Sequence, residues 1–286
     1  HRINHERKNV EMYQETSLKT DRMIYANTRS DEADMDYRMH CHNSYEIYYI
    51  ITGNVEYLLE GRDCRPRPGT LIIIAPDCFH GLKVLDGQVY HRIRLHFTME
   101  VLDERERVLL EPFRGGWRRF DEQFGLEWYF RAVEQCREYG KELQDIAIRA
   151  SITALLARIF AISEKEPARQ NQARNQAQDI IRYINGHLAE PLTLEGLARD
   201  FFVSKNHLTA IFKRATGTTV ASYILYKRMA AARKELSQGT PAAEAAARAG
   251  FGDYSSFFRA YKKMFGYPPS DKRALKLPDM DQSGAF

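Results

Sequence analysis

Between Tyr45 and Phe97 the apolar residues fall into short runs, YEIYYII, VEYLLE, TLIIIA and VYHRIRLHF, broken by Gly53-Asn54, Gly61-Arg62-Asp63, Pro68-Gly69 and Asp86-Gly87. Runs of this length between turn formers predict antiparallel β structure closing into a small barrel or sandwich. In the last run Ile93, Leu95 and Phe97 alternate with Arg92, Arg94 and His96, so period two puts apolar groups on one sheet face and basic groups on the other. After Pro112 the spacing changes to threes and fours. Leu126, Tyr129, Phe130 and Val133, then Leu143, Ile146, Ile148, Ile152, Leu155, Leu156, Ile159 and Phe160, form the stripe of helices packed on their own barrel or on a second copy. Ser163 to Gln178, SEKEPARQNQARNQAQ, carries Pro167 and no large apolar residue, as a linker does. The chain is thus expected to be α+β in two domains: residues 1–162 (barrel plus helices), a linker at 163–178, and an all-α unit at 179–286.

The all-α unit holds one pattern twice. Thr193 caps LEGLAR, a short break at Asp200 to Val203 follows, and Ser204 caps KNHLTAIFKRA. Leu208, Ile211 and Phe212 make the buried stripe of this second helix, leaving Lys205, Asn206, Thr209, Ala210, Lys213 and Arg214 outside. Some fifty residues on, Thr240-Pro241 opens an alanine-rich helix, Gly250-Phe251-Gly252 turns, and Asp253 caps YSSFFRAYKKMFG, with Tyr254, Ser255, Arg259, Lys262 and Lys263 outward. Thr219 to Ser237 joins the copies as one helix of about 28 Å, close to the ~34 Å of one B-DNA turn. Two helix-turn-helix motifs so spaced can enter successive major grooves.

Charge strengthens that reading. Overall, 42 Lys+Arg stand against 38 Asp+Glu in 286 residues, with 44% apolar residues, which is ordinary globular composition. Residues 1–170 hold 25 basic and 28 acidic side chains (25 − 28 = −3), whereas 171–277 hold 17 and 8 (17 − 8 = +9). Only the second segment suits a polyanion. No apolar run approaches the ~20 residues of a membrane span, and the first residues, HRINHERK, carry charge without an apolar signal region, which predicts a cytoplasmic protein with no membrane partner. Cys41, Cys64, Cys78 and Cys136 form no C-x-x-C pair, consistent with ordinary thiols.

The candidate chemistry of the first half is a histidine cluster. His40 and His42, two apart, share a strand face, and with Glu46, Gly53 and the downstream His80 they could converge on one cavity. The spacing H-x-H-x3-E-x6-G resembles the first motif of the cupin superfamily. The second motif is only partial, because Ala75 and Asp77 stand where it places Pro and Gly. No cofactor is therefore expected. The cluster, with Tyr48, Arg92 and Arg94, is expected to bind a small molecule, and a divalent transition metal on His40, His42, Glu46 and His80 is the alternative. That alternative corresponds to a metal-sensing regulator or a cupin-type metalloenzyme. No separate acid–base pair or nucleophile stands beside the histidines, which argues against an enzyme. Aromatic Tyr45, Tyr48, Tyr49, Tyr57 and Trp117, with the arginines, would suit a sugar or an anion.

The strings VSKNHLTAIFKRATG, KRMAAARKEL and ARAGFGDYSSFFRAYKKMFGYPPSDKR resemble the DNA-binding domain of the AraC/XylS family of bacterial transcription regulators over residues 175–276. This resemblance implies a DNA-binding activator, dimeric, responsive to a small molecule that is by default a sugar, and acting on RNA polymerase. It places base contacts on Asn206, Thr209 and Ala210 and on Tyr254, Ser255 and Arg259, with Ser204 at the helix start. Departures are Ala242, Ala245 and Ala249 where the family carries Ile or Val, and Lys272 in place of Tyr, which predict a lean second core.

Overall fold

The computed structural model describes residues 13–30, 39–40, 42, 44–86, 88–121, 125–165 and 176–271. Its first half is a pair of antiparallel sheets. The strands are β1 (Tyr13–Lys19), β2 (Met23–Ser30), β3 (Tyr45–Thr52), β4 (Val55–Leu59), β5 (Arg62–Cys64), β6 (Leu71–Ile74), β7 (His80–Val84), β8 (Tyr90–Phe97) and β9 (Trp117–Phe120). Six of them form one sheet in the order β1-β2-β8-β3-β6-β9, and the other three a small sheet ordered β5-β4-β7. Among the described residues the predicted barrel is a sandwich of two sheets that do not join.

Period two assigns each strand's residues to two cores. Ile47, Tyr49, Leu71, Ile73, Ile93, Leu95 and Phe97 pack outward against helices α1 (Glu127–Gln135) and α2 (Lys141–Lys165). Tyr48, Ile50, Ile72, Ile74 and Tyr90 pack inward against Tyr57, Leu59 and Val84 of the small sheet. Tyr25 Oη donates to Glu134 (2.8 Å) and Tyr49 Oη to Glu127 (2.5 Å), pinning α1 to the large sheet. Ile148, Ile152, Leu155, Leu156, Ile159 and Ile162 of α2 are buried, and each such side chain contributes about 1.5–3 kcal/mol of gross burial. The predicted stripe does not hold throughout: Leu143 and Ile146, in the first turns of α2, are 53% and 67% exposed. By length and composition α2 would suffice to cross a membrane, contrary to the sequence expectation, but its apolar side packs on the sheet. Of the stretch expected as linker, 163–165 close α2 and 176–178 open the next helix.

The second half is all helical: α3 (Gln176–Gly186), α4 (Leu194–Asp200), α5 (Lys205–Thr216), α6 (Val220–Ser237), α7 (Ala242–Arg248) and α8 (Tyr254–Phe265). The caps expected at Thr193, Ser204 and Asp253 form, and Thr219 caps α6 as well. Thr193 Oγ1 accepts from Gly196 N (3.0 Å), Ser204 Oγ from His207 N (3.1 Å), Thr219 Oγ1 from Ser222 N (3.1 Å) and Asp253 from Ser256 N (2.7 Å). Gly217 and Gly266, with φ of +72° and +77°, end the two reading helices in the left-handed conformation. The first motif packs Ile180, Ile184, Leu197, Leu208, Phe212 and Tyr223 together, whereas the second relies on Phe257 and Tyr261 over Ala245, Ala246 and Ala249. Lys272 lies outside the described residues.

Candidate nucleic-acid interface and histidine pocket

The α5 and α8 faces follow from helical periodicity. With Leu208, Ile211 and Phe212 buried, Ser204, Lys205, Asn206, Ala210, Lys213 and Arg214 are exposed and Thr209 is half-buried. With Phe257 and Tyr261 buried, Tyr254, Ser255, Arg259, Lys262 and Lys263 are exposed. Lys205 pairs with Glu195 (2.9 Å), and Arg259 reaches Ser256 Oγ (3.3 Å); both contacts are at the surface and cost little to exchange for a ligand. Each helix therefore presents small polar groups at its N-terminal half and cations toward its end, the distribution that base edges and flanking phosphates require. Arg228 ties the joining helix α6 to the loop before α4, its Nε and Nη2 donating to the carbonyls of Leu188 (2.9 Å) and Glu190 (2.7 Å). Gly250 (φ +88°) passes so close that a Cβ there would lie 2.1 Å from the same Leu188 oxygen.

In the first half, register aligns the inward face. Glu46 lies opposite His96, Tyr48 opposite Arg94 and Ile50 opposite Arg92 on the neighbouring strands β3 and β8. Tyr48, Arg92 and Arg94 thus share the inner face with Glu46. Arg92 stacks 4.5 Å from the Tyr90 ring, whose hydroxyl meets that of Tyr57 at 2.8 Å. Tyr45 and Tyr49, grouped with them in the sequence, point the other way, because odd positions of β3 face the helices. Tyr45 stacks on Phe97, and Tyr49 on Phe130. Trp117 sits at the edge of the inner core.

His40, His42 and His80 do converge on Glu46, with one ligand atom of each within 4.8 Å of the others. Nε2 of His42 lies 3.0 Å and Nε2 of His80 2.8 Å from Glu46 Oε2, and Nε2 of His96 lies 2.5 Å from Oε1. His96 was not picked out as a site residue, although the alternation of VYHRIRLHF already put it on the face of Arg92 and Arg94. What sequence lacks is the strand register that sets it opposite Glu46.

The ring orientations limit what the cluster can be. Nδ1 of His80 is 2.9 Å from the Cys78 carbonyl, and Nδ1 of His42 is 3.1 Å from that of Ser44. A carbonyl only accepts, so Nδ1 of His80 carries the proton and its Nε2 faces the carboxylate with a lone pair unless it holds a second cation, whereas Nδ1 of His42 also lies 2.9 Å from Ser44 Oγ, which can donate to it and leave Nε2–H to donate to Glu46. Glu46 Oε1 and Nε2 of His80 and His96 are buried without a well-oriented hydrogen bond. Protonation and a metal ion are the two ways to fill that position. Burial alone would raise the Glu46 carboxyl, but the charges of His96 and His80 and the bond from His42 hold it well below the usual range. Burial opposes protonation of His80, and Glu46 with the Cys78 carbonyl outweighs it, raising the ring. Burial drives His96 down to about 4. A fully buried carboxylate ringed by imidazoles, with Nδ1 of His80 held by the Cys78 carbonyl and those of His42 and His96 near Ser44, fits a borderline divalent cation.

Comparison with known proteins agrees with this division. Residues 28–179 match the model described as AraC-like ligand binding domain, and residues 197–274 that described as helix-turn-helix domain. The HTH-type transcriptional regulator YfiF of Bacillus subtilis is 23% identical over 83% of this chain and 79% of its own length. The transcriptional activator RhaS of Citrobacter koseri is 27% identical over 82% and 86%, and the arabinose operon regulatory protein of Escherichia coli 25% over 80% of each. Among solved structures, apo ToxT K231A from Vibrio cholerae aligns over 92% of this chain and 96% of its own with 10% identity and a TM-score of 0.38.

Proposed function

Because this chain belongs to the AraC family of transcription regulators, we propose that it couples a small molecule held between its sheets to sequence-specific binding of double-stranded DNA by α5 and α8. The observation that carries this is the pair of capped helices with exposed polar and cationic faces, on the segment of charge +9. Base contacts fall to Asn206, Thr209, Ala210, Tyr254, Ser255 and Arg259, and phosphates to Lys205, Lys213, Arg214, Lys262 and Lys263, with Ser204 as the cap of α5. The chain acts in the cytoplasm as an activator that contacts RNA polymerase. A homodimer seam runs over Trp128, Leu143 and Ile146, large apolar side chains left exposed on α1 and α2. The effector is a carbohydrate or a related metabolite, a reading supported by a relative named for the arabinose operon and by Tyr48, Arg92 and Arg94 on the polar inner face. Selection from a random duplex pool with the full chain should recover two half-sites about 10 base pairs apart; a pool that never enriches overturns the proposal.

The convergence of Nε2 atoms on Glu46 favours a second reading of the pocket, in which His40, His42, Glu46 and His80 hold a divalent transition metal. Such an ion would supply the positive charge the cluster lacks and an open coordination position for an effector oxygen. This reading makes the regulator metal-dependent. Metal analysis of the purified chain, with melting before and after chelation, separates the two.

A further inference from the structure

The turn between β4 and β5 consists of Glu60 and Gly61, with φ of +45° and +80°. Two-residue hairpins of this kind favour Asn, Asp or Gly at the first position, and a glutamate there is strained. Its carboxylate explains its presence. Oε1 accepts from Phe79 N (2.8 Å) and Lys227 Nζ (2.7 Å), and Oε2 from Tyr223 Oη (2.6 Å) and Asn185 Nδ2 (3.4 Å). Three of those donors belong to α3 and α6 of the helix-turn-helix half. Lys227 Nζ also donates to the carbonyl of Asp77 (2.6 Å), another residue with positive φ, +62°. Gly61 lets the turn approach, since a Cβ there would lie 2.6 Å from Ile181 Cδ1 and 3.7 Å from Ala215 Cβ near the end of α5.

The same face carries the histidines. His40 and His80 exchange backbone hydrogen bonds (2.8 and 2.9 Å) as an isolated bridge, and their rings turn toward Glu46. Side chains alternate along extended backbone, so the preceding residues, Met39 and Phe79, turn the opposite way. Both are buried in the core of the first helix-turn-helix unit, with Phe79 5.3 Å from Tyr223 and 5.5 Å from Tyr226. One thickness of backbone separates the histidine cluster from the first helix-turn-helix unit. It is tied on both sides, because Asp77 N donates to the His42 carbonyl (2.8 Å) while the Asp77 carbonyl holds Lys227.

We propose that the Glu60 turn and the Met39/Phe79 wall form a seat for the first helix-turn-helix unit, and that Glu60 and Phe79 are positioning residues through which the pocket's occupant sets how firmly that unit is held. The link to occupancy rests on reading the histidine cluster as the effector pocket. A ligand that reorients His80 must move its hold on the Cys78 carbonyl, and with it the Phe79 amide bonded to Glu60. The seat touches the buried side of α3, α5 and α6 and leaves the groove-facing residues of α5 and α8 exposed.

Amide exchange of the full chain tests the seat, read in peptides covering 77–82 and 220–230. Glu60→Gln keeps the side chain's size and removes its charge, and Lys227→Met removes the partner. Each should speed exchange at 220–227 on the order of tenfold, as loss of a charged buried hydrogen bond does, and the double variant little further. Phe79→Leu, which keeps the core filled, should loosen the same peptide less. Zinc ion is the pocket probe, with His42→Ala as the control for binding elsewhere. Zinc should alter exchange at 220–227 and DNA affinity in the wild type, and neither in Glu60→Gln. Wild-type exchange in both Glu60→Gln and Lys227→Met would overturn the seat. A seat released by those variants, with zinc and His42→Ala silent at 220–227 and on DNA affinity, would instead overturn the link between the histidine cluster and the seat and leave the seat itself standing.

Discussion

Replacing Gly250 by alanine should unfold the contact between the two helix-turn-helix motifs, and a matched control isolates why. Gly250 and Gly239 have nearly the same backbone conformation, φ +88° and +87°, but a Cβ on Gly239 meets nothing within 4 Å. Gly239→Ala therefore reports only the left-handed penalty, about 1–2 kcal/mol. At Gly250 the added carbon would lie 2.1 Å from Leu188 O and 2.9 Å from Ala189 Cα, both backbone atoms, and 3.0 Å from Arg228 Nε. Relief requires moving the Leu188 carbonyl, which is also the acceptor of Arg228. Overpacking of this kind costs about 1–3 kcal/mol. Losing or straining a charged hydrogen bond adds about 1.5–3 kcal/mol. The difference between the two alanine variants should then be about 2.5–6 kcal/mol. For a unit of roughly a hundred residues each kcal/mol lowers Tm by about 4–8 °C, so scanning calorimetry of the full chain should show the helical unit's transition at least about 10 °C lower in Gly250→Ala than in Gly239→Ala. Equal Tm values for the two variants would refute the steric argument.

Four further outcomes follow from the same structure. Arg259→Ala should cost about 1–3 kcal/mol at one base position of the selected site, whereas Lys213→Ala should weaken all duplexes alike and flatten the salt dependence; anisotropy titrations on single-base variants distinguish them. Burial alone would raise the Glu60 carboxyl, but Lys227 holds it below its ordinary value, so its contribution is complete above about pH 4.5 and fades as the pH falls through the lowered pKa. The urea midpoint gap between wild type and Glu60→Gln should accordingly be constant from pH 7 to 5 and shrink as the pH falls below 4.5 and through the lowered pKa; a gap that widens on acidification contradicts it. If the pocket holds metal, the purified chain should carry near one equivalent, and chelation should lower the Tm of the first half, while Glu46→Gln should abolish both effects. Amides of α7 and α8 should exchange faster than those of α4 and α5, because Ala245, Ala246 and Ala249 bury less apolar surface than Leu197 and Ile184 do.

The helical half was legible because its determinants are local. A cap such as Ser204 or Asp253 bonds an amide three residues on, and the buried stripe repeats within one turn, so a single stretch of chain states both the helix and its exposed face. The outward faces of α5 and α8 therefore follow from spacing alone. In the first half, alternation correctly divided β8 into an apolar and a basic face, but not the pairing of strands. Strand β1, YQETSLK, is polar along most of its length and carries no periodic signal, and the short β5, β7 and β9 are set by the partners they join. The apolar stripe of α2 continued into Leu143 and Ile146 because periodicity records which side is apolar, not how far the sheet beneath it extends.

His96 and Glu60 show what kind of information was missing. His96 becomes part of the cluster only through a register that places it opposite Glu46, fifty residues earlier in the chain. Glu60 reads in sequence as the last residue of the run VEYLLE, with the turn beginning at Gly61, whereas the structure puts Glu60 in the turn and brings its four donors from positions 79, 185, 223 and 227. Both are carboxylate sites assembled from distant segments, where desolvation is repaid only by partners that the finished fold supplies. Such sites leave one trace in the local structure, a residue in a place that local rules disfavour. Glu60 at the first position of a tight hairpin is that trace, and it marks the point where the helix-turn-helix half docks.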